Sequence, residues 1–275
     1  MGSRLRAVDG ETLAPGGGKS DIRLDSGEGR VGASGGVYGW DNQGAVLMIR
    51  WSLIDTTTLP GGGGELRLMQ RGQEFSIMSG AIELMNSRIS GSETALATLA
   101  CARLQDRPSA HLLIGGYGMG FTLRAALAAL GPAAKVTVAE LAPAVIAWAR
   151  GPMAHITGAS LQDPRVTILQ GDVGDLIQSA KGAYDAILLD VDNGPDGLSR
   201  PANDRLYDPG GLAAARRALR PGGVLAVWSA APDARFTRRL GKAGYAVEEV
   251  LARASAAGKG ARYVIWLATA PGSKA

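Results

Sequence analysis

Residues 111–124 read HLLIGGYGMGFTLR. An apolar run ends in glycines and passes straight into a Leu/Ala/Arg pattern of helical period, which predicts a strand, a tight turn and a helix start. Gly116, Gly118 and Gly120 leave no Cβ over the turn, so a ligand can lie against backbone N–H groups and the positive end of the following helix. A second apolar run, KVTVAEL, places the acid Glu140 twenty residues after Gly120, where the two hydroxyls of a nucleotide ribose need an acceptor. In a chain with 40 glycines the glycine spacing alone says little. Its pairing with the strand-end acid predicts nucleoside binding.

Outward from this stretch the same unit repeats. Apolar runs at Ala110–Gly115, Lys135–Glu140, Arg165–Leu169, Tyr184–Asp190 and Gly223–Trp228 alternate with helical patterns at Gly120–Leu130, Ala142–Arg150, Val173–Ser179, Pro209–Leu219 and Asp233–Gly241. Such alternation predicts a parallel sheet covered on both faces. Two last runs, Tyr245–Arg253 and Ala261–Ala270, are separated by a Gly/Ala/Ser/Lys loop and should pair antiparallel at the sheet edge. The expected fold is α/β, with a Rossmann-like seven-stranded sheet in the element order of class I S-adenosylmethionine (SAM) dependent methyltransferases.

Composition permits this reading. The 275 residues are 46% apolar, enough core for one domain and a small appendage. The single cysteine, Cys101, excludes an internal disulfide and fits a reducing compartment. The net charge of +4 comes from scattered arginines, without the Lys/Arg run or zinc spacing of a nucleic-acid reader, so no nucleic-acid partner is expected. His111 and His155 have no partners at ligand spacing, and no metal is expected. Trp148, Trp228 and Trp266 read as core residues, although Trp228 ends a central strand.

The N-terminal part reads differently. Residues 1–36 are rich in Gly, Ser and charge and predict a disordered tail within a poorly structured extension over 1–60. The apolar stretch 37–54 is broken by Arg50 and is too short to span a bilayer, and Arg4, Arg6, Asp9 and Glu11 do not match a secretory signal. A cytoplasmic protein without a membrane partner is expected. Gly61–Gly64 reads as a linker, and residues 61–105 as a small β appendage with strands at Leu66–Gln70, Glu74–Met78 and Ile82–Met85, followed by a helix over Glu93–Leu104. Residues 106–275 then form the nucleoside-binding domain.

Over about Glu65 to Val250 the chain resembles the spermidine synthases and spermidine synthase-like proteins. LLIGGYGMG stands where that family has a turn usually written GGGDGG. VAELAP is similar to its acidic strand end, DPRVTILQGDVGDLI to a stretch ending in Gly-Asp, and YDAILLDVDNGP to a strand end commonly written YDxIxxDSSDP. Leu206-Tyr207 and ALRPGGVLAV fit as well, and the β appendage, which ordinary methyltransferases lack, belongs to the likeness. The resemblance implies that Gly116, Gly118, Gly120 and Glu140 hold the donor, with Glu140 on the ribose hydroxyls and Asp172 on the adenine amino group, and that Asp190 faces the reacting atoms. It also allows a homodimer.

Each assignment stands beside a plainer one. A carboxylate closing an apolar strand must be solvated or partnered, which ribose hydroxyls would do for Glu140 and which an exposed loop position would also do. Asp172 is equally a preferred N-cap for the helix starting at Val173. Asp190 closes AILLD at the strand end where open α/β sheets place their ligands. Tyr117 either packs on the donor or supports the turn.

The departures from the family pattern shape the functional expectation. Gly118 stands where the family turn has an acid that pairs with the amine of decarboxylated SAM. The family's Tyr-His-Glu falls on Gly91, Ser92 and Glu93, and the second Asp of DSSDP becomes Asn193 beside Asp192. Glu83, Glu93, Asp190 and Asp192 remain as anionic contacts, with Asn193 and Tyr207 shaping the acceptor side. The expectation is a SAM-dependent transferase that methylates a small amine-type acceptor, with Asp190 as the catalytic base and no metal. One alternative is aminopropyl transfer from decarboxylated SAM, and another is a nucleoside-binding protein without catalysis.

Overall fold

The computed structural model describes residues 30–31, 37–41, 44–60, 64–191, 194–195, 203–254 and 260–272. The chain divides into two compact units, Met1–Arg50 and Trp51–Ala275. In the first, β1 (Arg30–Val31), β2 (Val37–Asp41) and β3 (Gly44–Met48) pair antiparallel. Of the expected tail over residues 1–36, residues 1–29 and 32–36 lie outside the described residues, as do the linker residues 61–63.

The second unit opens with an antiparallel sheet of β4 (Ser52–Thr58), β5 (Glu65–Arg71), β6 (Glu74–Ser79) and β7 (Ile82–Asn86), in that order. The sequence reading has three of these strands and leaves β4 in the extension. SLIDTTT suits an edge strand through its β-branched residues, but nearly every position is exposed, so no alternation of buried apolar residues marks it. A helix, α1 (Gly91–Ala102), leads into the main sheet.

The main sheet and its helices follow as β8 (His111–Gly115), α2 (Phe121–Ala129), β9 (Lys135–Glu140), α3 (Pro143–Arg150), α4 (Ala154–Thr157), β10 (Val166–Gln170), α5 (Val173–Ser179) and β11 (Tyr184–Leu189). They continue as α6 (Asp204–Tyr207), α7 (Pro209–Ala218), β12 (Leu219–Ser229), α8 (Ala234–Lys242), β13 (Ala246–Arg253) and β14 (Arg262–Thr269). His155, read as a loop residue, lies in α4. The strand order is β10-β9-β8-β11-β12-β14-β13. All neighbours are parallel except β12 with β14 and β13 with β14, so the predicted antiparallel edge pair is present.

Strand alternation distributes the apolar side chains to two cores. Leu112 and Ile114 of β8 and Leu188 of β11 join α1, α2, α3 and the appendage residues Leu68, Phe75 and Ile77. Leu113, Ile187 and Leu189 face the other side, against α5, α7 and α8. The appendage therefore packs into the same core as the sheet. Near the C-terminal end of α1, Cys101 is buried in the first of these cores, which pushes its thiol up to about 11.

The order reverses between β8 and β11. Successive strands run outward from β8 through β9 to β10, then return to the centre at β11, which leaves a crevice beyond the carboxyl ends of β8 and β11. At the opposite rim stands a different cluster. Asp185 of β11, with only 3% of its side chain exposed, accepts from Arg107 (2.7 Å), Arg220 (2.6 Å) and the backbone N–H of His111 (2.8 Å).

Candidate active site

A cavity of about 500 Å³ occupies the crevice. The glycine turn makes its floor. Gly116 has φ of +86°, and a Cβ on it would lie 2.5 Å from the Asp190 carbonyl oxygen, so only glycine lets the turn approach the end of β11 this closely. Gly118 has φ of +55° and faces Met85 of β7, whose sulfur would be 2.8 Å from a Cβ there. Both line the cavity, as do Tyr117 and Met119. Gly120, also at positive φ, is the N-cap of α2 and is not among the lining residues.

Glu140 ends β9 and lines the cavity while only 8% exposed. Its Oε2 accepts from the Tyr117 N–H and its Oε1 from the Ala142 N–H, each at 2.8 Å. Burial raises its pKa, and backbone amides, Tyr117 first, work against that rise. One carboxylate thus holds the glycine turn and the start of α3 in place, and each oxygen keeps a lone pair for a further donor. Asp172 both caps and lines: its Oδ1 accepts from the Gly174 N–H at 2.8 Å, its Oδ2 pairs with Arg205 at 2.9 Å, and it borders the cavity.

Asp190 follows β11 directly. Its N–H donates to the Gly115 carbonyl at 3.1 Å, and its Oδ2 accepts from the Thr122 hydroxyl at 2.6 Å. Burial, and then the charge of Glu93, push its pKa up to about 7, while the Thr122 hydrogen bond pulls the other way. Glu93, in the first turn of α1, is likewise raised by burial and accepts from the Ser92 hydroxyl at 2.7 Å. Two carboxylates with raised proton affinity, the charge of Glu93 adding to the rise at Asp190, therefore face one cavity, an arrangement suited to taking up a proton or a cation.

Glu83 of β7 also lines the cavity, bonded to Ser76 at 2.7 Å and Asn86 at 3.3 Å. Tyr207 does not. It is 1% exposed, packs edge-on against Phe236 with ring centroids 5.7 Å apart, and donates to the Val191 carbonyl at 3.4 Å. It supports the segment after Asp190 from beneath. Asp192 and Asn193 lie outside the described residues.

The sequence reading did not single out Thr122, Met85 or Tyr263 for the site. Tyr263 of β14 and Trp228 at the end of β12 form an aromatic wall, with centroids 5.1 Å apart. The Trp228 Nε1 is buried and has no hydrogen-bond partner among the described residues. A strand-end aromatic is a weak sign in a sequence, and Tyr263 reaches the site only because β14 pairs beside β12. Among the described lining residues there are five carboxylates, Glu83, Glu93, Glu140, Asp172 and Asp190, and no Lys, Arg or His. In a chain of net charge +4 this concentration of anions is chemically suited to cations. Among the described residues no three His, Cys, Asp or Glu are grouped to share a metal ion, and no helix is long and apolar enough to cross a membrane.

Comparison with known proteins identifies the family of the chain. Residues 95–235 match the family model for the spermine/spermidine synthase domain. A polyamine aminopropyltransferase of Korarchaeum cryptofilum is 32% identical over 124 residues, covering 45% of this chain and 36% of that protein. A polyamine aminopropyltransferase of Mycobacterium tuberculosis is 33% identical over 159 residues, covering 54% and 29%. Putrescine N-methyltransferase 4 of Nicotiana tabacum is 37% identical over 119 residues, covering 43% and 29%. The match spans only about a third of the length of these curated relatives. Among solved structures, spermidine synthase from Thermotoga maritima superposes with a TM-score of 0.63 at 17% identity, covering 83% of this chain and 75% of that one, which speaks to the fold. The family model takes in the glycine turn, Glu140, Asp172 and Asp190 and just over half of the chain, and the chain belongs to the spermine/spermidine synthase family.

Proposed function

We propose that this chain is a transferase that moves an alkyl group from an S-adenosyl sulfonium donor to an amine of a small di- or polyamine, with decarboxylated SAM as donor and aminopropyl as the group. The carrying observation is the cavity wall with five carboxylates and no Lys, Arg or His among its described lining residues. A sulfonium and a polyammonium acceptor are both cations, and both gain from such a wall. The names of the similar curated proteins support the reading, since they are aminopropyltransferases and N-methyltransferases acting on amines of this kind.

In this reading the donor lies over the glycine turn, with its ribose toward Glu140 and its purine toward Asp172. Asp190 takes a proton from the acceptor ammonium, the freed lone pair attacks the carbon next to sulfur, and the carbon–sulfur pair leaves on the thioether. Glu93 and Glu83 hold the distal charge of the acceptor. A second reading, methyl transfer from SAM, is favoured by one observation. Gly118 and Met119 both line the cavity without charge, and Met85 fills the space above Gly118, so nothing at the turn pairs with a donor amine.

The test offers SAM and decarboxylated SAM, each isotopically labelled, with putrescine and spermidine. Label moved from decarboxylated SAM supports aminopropyl transfer, and label moved only from SAM replaces it with methylation. Donor binding by calorimetry with transfer from neither leaves nucleoside binding without catalysis.

A further inference from the structure

Thr122 belongs to the first turn of α2, the helix that starts in the glycine turn, and it is 2% exposed. Its hydroxyl has one hydrogen to give, and that hydrogen goes to Asp190 Oδ2 at 2.6 Å. A buried threonine in a helix commonly returns its hydroxyl to its own backbone, four residues back. Here it crosses from helix to strand end instead. Two further contacts tie the same pieces together: the Asp190 N–H reaches the Gly115 carbonyl, and Gly116 lies against the Asp190 carbonyl. Backbone contacts fix where Asp190 stands, and among the described residues only the Thr122 bond fixes how its carboxylate is turned.

We infer that Thr122 is a positioning residue for Asp190: by occupying Oδ2 it orients the carboxylate so that Oδ1 faces the cavity as the proton acceptor, and it keeps that carboxylate anionic in a buried place. The inference rests on the proposed role of Asp190. The proton leaves the acceptor nitrogen for Oδ1, the nitrogen lone pair forms the new N–C bond, and the C–S pair stays on sulfur. Thr122 loses and gains nothing. Among the described residues the charged neighbour of Asp190 is Glu93 on α1, and the Tyr263 hydroxyl of β14 in turn faces Glu93. Burial and the charge of Glu93 oppose the charged form of Asp190, and among the described residues Thr122 is the group that favours it.

Thr122→Val removes the hydroxyl and keeps the shape, and Thr122→Ser keeps the hydroxyl and removes the methyl. With ¹³C-labelled aspartate and Asp190→Asn for assignment, the Asp190 carboxyl signal should titrate about one pH unit higher in Thr122→Val, as expected for losing a charge-assisted hydrogen bond. Thr122→Ser should bring it back. An unmoved midpoint in Thr122→Val, or the same upward shift in both variants, overturns the inference. The acid limb of the pH–rate profile should follow the same order in the full-length protein. If the carboxyl signal moves as stated while the wild type transfers nothing to any di- or polyamine, the placement of Thr122 stands and the transfer reading fails.

Discussion

Asp185 and Asp190 stand five residues apart at opposite ends of β11, and the chain treats them in opposite ways. Asp185 is buried between two guanidinium groups and a backbone N–H, so every charge that folding takes out of water meets a partner. Asp190 is buried with one hydroxyl and a second carboxylate nearby. The first arrangement holds the strand entry in place. The second stores an unmet demand for a proton or a cation, at the rim where the sheet order reverses. The same residue type at the two ends of one strand is fully paired at one rim and, in the proposed reading, chemical at the other because of what was placed around it.

Breaking the satisfied rim should cost most. Asp185→Ala leaves Arg107 and Arg220 facing each other without their shared anion, and the loss in urea denaturation should be about 3 kcal/mol. At the opposite rim, Glu140→Ala removes the acceptor for two backbone amides and, in the proposed reading, for the ribose. Donor affinity by calorimetry should fall by about 2 to 3 kcal/mol, and unchanged affinity would take Glu140 out of the donor site.

Asp190→Asn sharpens the contrast, because its sign reverses with pH. The folded value, about 7, lies above the ordinary carboxylate value. The protonated carboxyl therefore stabilises the fold fully below about pH 4, and that contribution is lost as pH rises through 7. Asparagine is neutral throughout, so at pH 8 the variant should be more stable than the wild type by on the order of 2 kcal/mol, with no gain at pH 4. Turnover should drop about a hundredfold in the same variant. Equal stabilities at pH 8 would mean that Asp190 is better compensated than its neighbours suggest.

The smallest effect is expected from Arg205→Ala. Its pair with Asp172 is 42% exposed on the arginine side, so solvent screens it, and donor affinity should weaken by only about two- to fivefold. A larger loss would show that Arg205 orients Asp172 in the way proposed for Thr122 and Asp190.

The sheet was legible because periodicity and turn chemistry agree along its length: Lys135–Glu140 and Val173–Ser179 are found with the predicted bounds. The strand β4 was not legible, since an edge strand with both faces exposed has no apolar alternation to read. In the site, Gly116, Gly118, Glu140, Asp172 and Asp190 come together at the cavity because strand ends of one parallel sheet converge wherever its order reverses. Glu83 and Glu93 line the same cavity from the appendage and α1. What sequence could not supply was the partner of each acid. That Glu140 is held by amides, Asp172 by Arg205 and Asp190 by Thr122 depends on contacts between residues far apart in the chain. Tyr207 shows the converse, a tyrosine of the matched motif that lies under the site rather than in it.

The helix α1 carries Glu93 at its start and Cys101 near its end, and the thiol, held protonated up to about pH 11, is shielded within the core. A thiol reagent at neutral pH will therefore mark only those molecules in which α1 has swung away from the sheet. The rate at which label accumulates counts those openings directly. With one cysteine in the chain, nothing else contributes to the signal, and any ligand that bridges Glu93 to the sheet should slow the clock.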